Sequence, residues 1–168
     1  MAKRNLILTG FMGVGKTTVG RIVAGQLGMV FVDTDVVIEA RAGRSIARIF
    51  AEQGEPAFRA LEASVCAEEA GRANQVIATG GGAALNPATR AALEEGGLVI
   101  CLTAGLETLV GRTRRSQVRP LAGDTERMAS LLAARQPVYD DLPNQVDTTG
   151  KTPEQVAAEV IALWRQSS

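Results

Sequence analysis

The chain has 168 residues, a length that suits one compact domain, and 46% of them are hydrophobic, enough to build a core. Its 18 basic and 18 acidic residues cancel, which argues against nucleic-acid binding driven by bulk charge. Histidine is absent, so no imidazole can serve as general base, triad member or metal ligand, and any proton abstraction falls to a carboxylate, lysine, cysteine or tyrosine.

Cys66 and Cys101 sit far apart in apolar surroundings and read as buried, reduced thiols, with no zinc pattern around them. The stretch from Met1 to Gly10 is too short for the apolar region of a signal peptide, and no run approaches membrane-spanning length. The expectation is a cytoplasmic protein.

In chain order, Leu6-Ile7-Leu8 is the first strand candidate, followed by a glycine-rich turn from Gly10 to Gly15 and a helix from about Lys16 to Leu27. Val30-Phe31-Val32 reads as a second strand and Val36–Ala42 as a helix. Ile46–Gly71 is helical with a break near Gly54-Glu55-Pro56. Val76-Ile77-Ala78 and Leu98–Leu102 are further strands, separated by a helix over Pro87–Glu95. Helices over Leu106–Thr113 and Thr125–Tyr139, a short strand Gln145–Asp147 and a helix Pro153–Arg165 complete the chain. Short apolar strands spaced by helices imply an α/β fold, a five-stranded parallel sheet covered on both faces within one domain over 1–168. Between two of these helices, residues 114–124 are polar, basic and aperiodic, the character of a short lid over a site.

Gly10-Phe11-Met12-Gly13-Val14-Gly15-Lys16-Thr17 fits the phosphate-loop pattern G-x-x-x-x-G-K-[ST] between a strand and a helix. Glycines let successive N–H groups turn toward an anion, and the following helix adds its positive end. Gly13, Val14, Gly15, Lys16, Thr17 and Thr18 are the expected ATP-binding residues of the loop. Lys16 supplies a point charge for the β- and γ-phosphates, and the Thr17 hydroxyl suits Mg²⁺.

Asp33-Thr34-Asp35 follows the second strand, where ligands gather in open α/β sheets. Residues i and i+2 of an extended segment point the same way, so both carboxylates can face the site. One can help hold Mg²⁺ and the other reach an acceptor hydroxyl. The alternative reading has Asp35 cap the helix that starts at Val36, which does not exclude catalysis. Arg59 and Glu62 share a helix face, either as a surface ion pair or as an oriented fork for a carboxylate. Thr79-Gly80-Gly81-Gly82 ends the third strand with exposed backbone N–H groups and room for a ligand. P-loop ATPases normally carry an acidic metal-binding residue there; its absence leaves Asp33 as the metal-site carboxylate.

The set Gly10–Thr17, Asp33-Thr34-Asp35, Phe58-Arg59-x-x-Glu62, Gly80-Gly81-Gly82, Arg119-Pro120-Leu121 and Arg135-x-x-x-Tyr139 resembles the shikimate kinase family in order and spacing, from Gly10 to about Pro153. The resemblance implies a three-layer, nucleoside-monophosphate-kinase-like P-loop fold, with an acceptor-binding helical region at about 34–62. It implies transfer of the ATP γ-phosphate to the 3-hydroxyl of shikimate with Mg²⁺, giving shikimate 3-phosphate and ADP. Asp35, Lys16 and Arg119 would be catalytic, Arg119 as the arginine of the lid. Arg59 and Arg135 would clamp the acceptor carboxylate, with Glu62, Gly80, Gly81 and Gly82 around it, and Arg112 and Pro153 would sandwich adenine. Thr17 and Asp33 would serve the metal. After Tyr139 the family tends to show Glu-x-Ala-Asp, whereas this chain has Asp140-Asp141-Leu142-Pro143. Gluconate kinases, nucleotide kinases and non-catalytic ATP-binding modules are the competing readings, and nothing in the sequence demands an oligomer.

Overall fold

Leu6-Ile7-Leu8 is apolar without interruption because the strand that carries it is covered on both sides. In the computed structural model, which describes the backbone of residues 5–116 and 125–168 and the side chains of 5–112 and 125–168, this strand is β1 (Asn5–Thr9), buried at every position. It pairs in parallel with β3 (Gln75–Ala78) on one side and β4 (Gly97–Thr103) on the other. β2 (Val30–Asp33) and β5 (Gln145–Asp147) form the edges, giving five parallel strands in the order β2-β3-β1-β4-β5.

Helices flank this sheet. α1 (Lys16–Leu27) packs with α8 (Pro153–Ser167), and α4 (Glu55–Gly71) packs with α5 (Pro87–Gly96). The main core joins the strands to Val19, Val23, Cys66, Ala70, Leu93, Val156 and Val160. A separate small core of Ile38, Ile49, Phe58 and Val65 holds α2 (Thr34–Ala42), α3 (Ile46–Gln53) and α4 together. The break foreseen between α3 and α4 falls at Gly54, whose φ of 83° suits glycine, with Pro56 in the first turn of α4. Among the described residues no helix is long and apolar enough to cross a membrane.

Three local expectations change. The α2 helix begins at Thr34, not Val36, because Asp33 caps it: its Oδ1 accepts from the Asp35 amide at 2.9 Å. The helix after β4, α6 (Leu106–Ser116), runs on past Thr113, so 114–116, read as aperiodic, are helical. A single 3-10 turn (Ala83–Leu85), absent from the sequence reading, follows the glycine run. The rest of the expected lid, 117–124 with Arg119, lies outside the described residues; α7 (Thr125–Asp140) follows it.

Asn5 was not singled out from sequence, yet it organises the end of the sheet away from the phosphate loop. Fully buried, it donates through Nδ2 to the carbonyls of Ala70, Arg72 and Gly96, and its Oδ1 accepts from the Gln75 amide. Four bonds of this kind satisfy a buried amide and tie β1, β3, α4 and α5 at one point.

Candidate active site

The phosphate loop turns sharply out of β1. Gly10 has a φ of 134°, and a Cβ there would lie 2.3 Å from the Leu102 carbonyl oxygen, so only glycine fits. Gly15, left-handed at φ 96°, caps α1 without any side chain, which leaves the first N–H groups of that helix available to an anion. Lys16 reaches back across the loop, its Nζ donating to the carbonyls of Gly10 and Phe11. The side chain is thus held above the concavity it would serve.

Thr17 and Asp33, the two residues expected to serve a metal, are in contact: Thr17 Oγ1 donates to Asp33 Oδ2 at 3.1 Å. A hydroxyl and a carboxylate beside a phosphate loop are hard oxygen donors, and Mg²⁺ commonly takes only one or two protein ligands alongside phosphates and water. The pair therefore fits a nucleotide-borne Mg²⁺. Among the described residues no cluster of three or more acidic or thiol side chains is placed to hold an ion. Thr79, at the end of β3, donates its hydroxyl to the Leu8 carbonyl at 3.1 Å and so ties the ends of β3 and β1 together.

Asp35 does not reach the site on an extended segment, as the i, i+2 argument had it. It stands in the first turn of α2, held there by the Asp33 cap. A cavity of about 130 Å³ brings it together with Arg59, Glu62, Gly80, Gly81, Gly82 and Arg135. Met12, Ile46, Phe50 and Phe58 complete its wall and were not singled out as site residues. Phe50 carried a signal, an exposed aromatic on a helix; its ring lies 4.8 Å from that of Phe58.

Each of the three glycines is closed in by a different side chain. A Cβ on Gly80 would meet Glu62 Oε2 at 2.9 Å and Asp35 Oδ1 at 3.0 Å. One on Gly81 would meet Arg135 Nη1 at 3.1 Å, and one on Gly82 would fall 2.6 Å from Arg59 Nη1. The same Gly81 position is 3.6 Å from both the Gly10 carbonyl oxygen and the Met12 amide, so the cavity abuts the phosphate loop.

Glu62 is only 3% exposed. Its Oε1 accepts from Arg59 Nη1 at 2.8 Å, while Oε2 has no hydrogen-bond partner among the described residues, nor has the buried Nε of Arg135. Burial works to lower the Arg59 pKa, but the hydrogen bond and charge of Glu62, with Glu55 behind it, hold it above the usual guanidinium value. Arg59 also lies 5.1 Å over the Phe58 ring, and Arg135 5.8 Å over that of Phe11. Burial, followed by the charges of Glu62 and Asp35, pushes the neighbouring Cys66 thiol up to about 12.

On the other side of the loop, a cavity of about 250 Å³ is lined by Val14, Gly15, Thr18, Arg112 and Pro153, with Val19, Thr148, Lys151 and Val156. Arg112 donates to the carbonyls of Gly13, Val14 and Thr148 and to the Thr148 hydroxyl at 3.0 Å, bracing the loop against the turn before α8. Thr148 and Lys151 escaped the sequence reading, although they sit in a polar Thr-Thr-Gly-Lys turn ahead of Pro153.

The chain was compared with known proteins. A family model described as shikimate kinase matches residues 12–165. The chain is 43% identical over 166 residues to a shikimate kinase of Geobacter sulfurreducens, covering 97% of this chain and 92% of that one. It is 46% identical over 163 residues to a shikimate kinase of Symbiobacterium thermophilum, covering 94% of each. Among solved structures, shikimate kinase from Acinetobacter baumannii in complex with shikimate superposes with a TM-score of 0.91 at 35% identity, over 98% of this chain and 94% of that one. A gluconokinase from Sinorhizobium meliloti shares the fold, with a TM-score of 0.63, at only 18% identity. A match that spans the phosphate loop, the glycine run and both arginine-bearing helices is one of sequence as well as architecture, and on it the chain belongs to the shikimate kinase family of ATP-dependent kinases.

Proposed function

We propose that the chain transfers the γ-phosphoryl group of ATP to the 3-hydroxyl of shikimate, with Arg59 and Arg135 gripping the acceptor carboxylate and Asp35 orienting the hydroxyl. The observation that carries this assignment of roles is the cavity that holds two arginines and two carboxylates against the phosphate loop. A small polyhydroxy acid matches that charge pattern: its carboxylate takes the guanidinium forks, and its hydroxyls take Asp35 and Glu62. The bonding capacity left over on Glu62 Oε2 and Arg135 Nε supports a ligand rich in both donors and acceptors. A nucleoside acceptor would need an apolar surface for its base, whereas Asp35, Arg59, Glu62 and Arg135 give this cavity a charged lining.

In the reaction the acceptor oxygen attacks the γ-phosphorus in line, an O–P bond forms, the bond to the β,γ-bridging oxygen breaks, and ADP leaves. Asp35 accepts the hydroxyl's hydrogen bond as the oxygen approaches, and the proton leaves the oxygen along that bond as the O–P bond forms. Lys16 and the loop N–H groups stabilise charge on the transferring group, and catalysis is mostly positioning and electrostatics. Thr17 and Asp33 would hold Mg²⁺ with the nucleotide, where it would neutralise phosphate charge. Arg112 and Pro153 would receive adenine between them in the second cavity. Arg119 lies outside the described residues, and its role at the γ-phosphate rests on the Arg119-Pro120-Leu121 motif. One chain supplies both binding sites, and its two thiols are free and buried, which supports a monomer working in the cytoplasm.

A coupled ADP-release assay with shikimate, gluconate, a nucleoside monophosphate and no acceptor tests the reading. ADP release is expected with shikimate alone. Turnover with gluconate or the nucleotide in its place, or ADP release indifferent to any acceptor, would overturn it.

A further inference from the structure

The spacing Arg135-x-x-x-Tyr139 places a second side chain one helical turn beyond the acceptor arginine, and the proposed chemistry does not use it. Tyr139 is 2% exposed, and its phenol donates a hydrogen bond to the Gly81 carbonyl. Gly81 is also the glycine against which Arg135 packs, with Nη1 3.1 Å from where its Cβ would be. One helix thus addresses one residue of the glycine loop twice, through the hydroxyl of Tyr139 and through the guanidinium of Arg135. The two side chains also touch each other: burial pushes the Tyr139 pKa up to about 12, while the charge and hydrogen bond of Arg135 pull against that rise. The phenol accordingly keeps its proton, and its donor role, throughout the physiological range.

The helix end that carries Tyr139 is itself anchored. Pro137 sits inside α7, which stops at Asp140, and Gln145 Nε2 donates to the carbonyls of Tyr139, Asp140 and Leu142. Arg90 of α5 binds the Asp141 side chain at 2.8 Å just beyond. These contacts fix where Tyr139 stands. The hydroxyl then transmits that fixed point to the peptide between Gly81 and Gly82, one residue from the glycine that Arg59 presses on.

We infer that Tyr139 is a positioning residue for the acceptor site, holding the Gly80–Gly82 loop and Arg135 in register through its bond to the Gly81 carbonyl. It acts through Gly81 and Arg135 and need not touch the substrate; the inference rests on the acceptor reading given above. Tyr139→Phe keeps the ring in the core and deletes only the hydroxyl, with its bonds to Gly81 and Arg135. Calorimetric titration of shikimate and of a non-hydrolysable ATP analogue separates the outcomes. The expected result is shikimate affinity weaker by about five- to tenfold, the span of one buried neutral hydrogen bond, with nucleotide affinity unchanged within about twofold. The effect should shrink in an Arg135→Ala background, since the two side chains act on the same loop residue. Equal losses for both ligands, or no loss for shikimate, would overturn the inference. If the wild-type protein itself fails to bind shikimate, it is the acceptor reading that falls. Tyr139 is the chain's single tyrosine, so 3-fluorotyrosine labels it alone if Tyr139→Phe does not fold. Its fluorine resonance should move with shikimate and stay in place with the nucleotide analogue; a resonance that shikimate leaves unmoved would count against the role.

Discussion

Gly82→Ala isolates the acceptor grip from the rest of the fold. Gly82 has φ −99° and ψ −1°, which any residue adopts, so alanine brings no backbone strain. Its new methyl would lie 2.6 Å from Arg59 Nη1, 2.7 Å from Nη2 and 2.8 Å from Cζ. Ordinary contact begins near 3.4 Å, so the guanidinium must retreat by roughly 0.8 Å. That is comparable to the tolerance of its 2.8 Å bond to Glu62 and of a two-pronged grip on a carboxylate. Losing one charged hydrogen bond costs about 1.5–3 kcal/mol, or roughly ten- to a hundredfold in shikimate KM. The displaced atoms end a flexible side chain, so stability should change by less than about 1 kcal/mol. Gly97→Ala is the contrast, because its Cβ would fall 2.1 Å from the Asn5 carbonyl oxygen, on buried backbone where the central strand begins, which has nowhere to go. A collision of that kind costs about 3 kcal/mol, a fall of roughly 10 °C in Tm. Thermal melts and separate KM values for shikimate and ATP are the assay. Gly82→Ala with a shikimate KM within about twofold of wild type, or with the thermal loss of Gly97→Ala, would refute the placement of Arg59.

Further outcomes can be checked. Lys16→Ala should abolish turnover and, since Nζ also ties the carbonyls of Gly10 and Phe11, lower stability by about 1–2 kcal/mol in a melt. Asp35→Asn keeps size and removes charge; kcat should fall more than about tenfold, roughly 1.4 kcal/mol of barrier, while ATP still binds in titration. Cys66 and Cys101, pushed up to about 12 and about 11 mainly by burial, should give no reaction with a thiol reagent at pH 8 in the native state and two thiols after denaturation. The sign of the stability effect follows. Native thiols keep protons that unfolded thiols release above about pH 8.5, so Tm should fall as pH rises from there toward about 11–12. Cys66→Ala should flatten that slope, and a Tm flat to pH 11 in the wild type would contradict the burial.

The strands were legible because β1 and β4 are covered on both sides and so write uninterrupted apolar runs. The phosphate loop was legible because its demand is local, a few glycines and a lysine between strand and helix. Asp33 and Asp35 were found for their spacing, but their geometry was misjudged. A cap, which depends on one amide 2.9 Å away, turned the expected extended segment into the first turn of α2. Asn5 left no trace in the sequence, since its partners lie 65 to 91 positions away. The glycine run stands between these cases. Three consecutive glycines announce that something comes close, and local reasoning reads that as exposed backbone. In the structure each is required by a different arrival: Glu62 and Asp35 at Gly80, Arg135 at Gly81, Arg59 at Gly82. These side chains come from α2, α4 and α7, and only the folded chain brings those helices to one turn. The run is three residues long because each of its positions is claimed by a different side chain, so a methyl on any one of them displaces a different group, and a variant at each should fail in its own way.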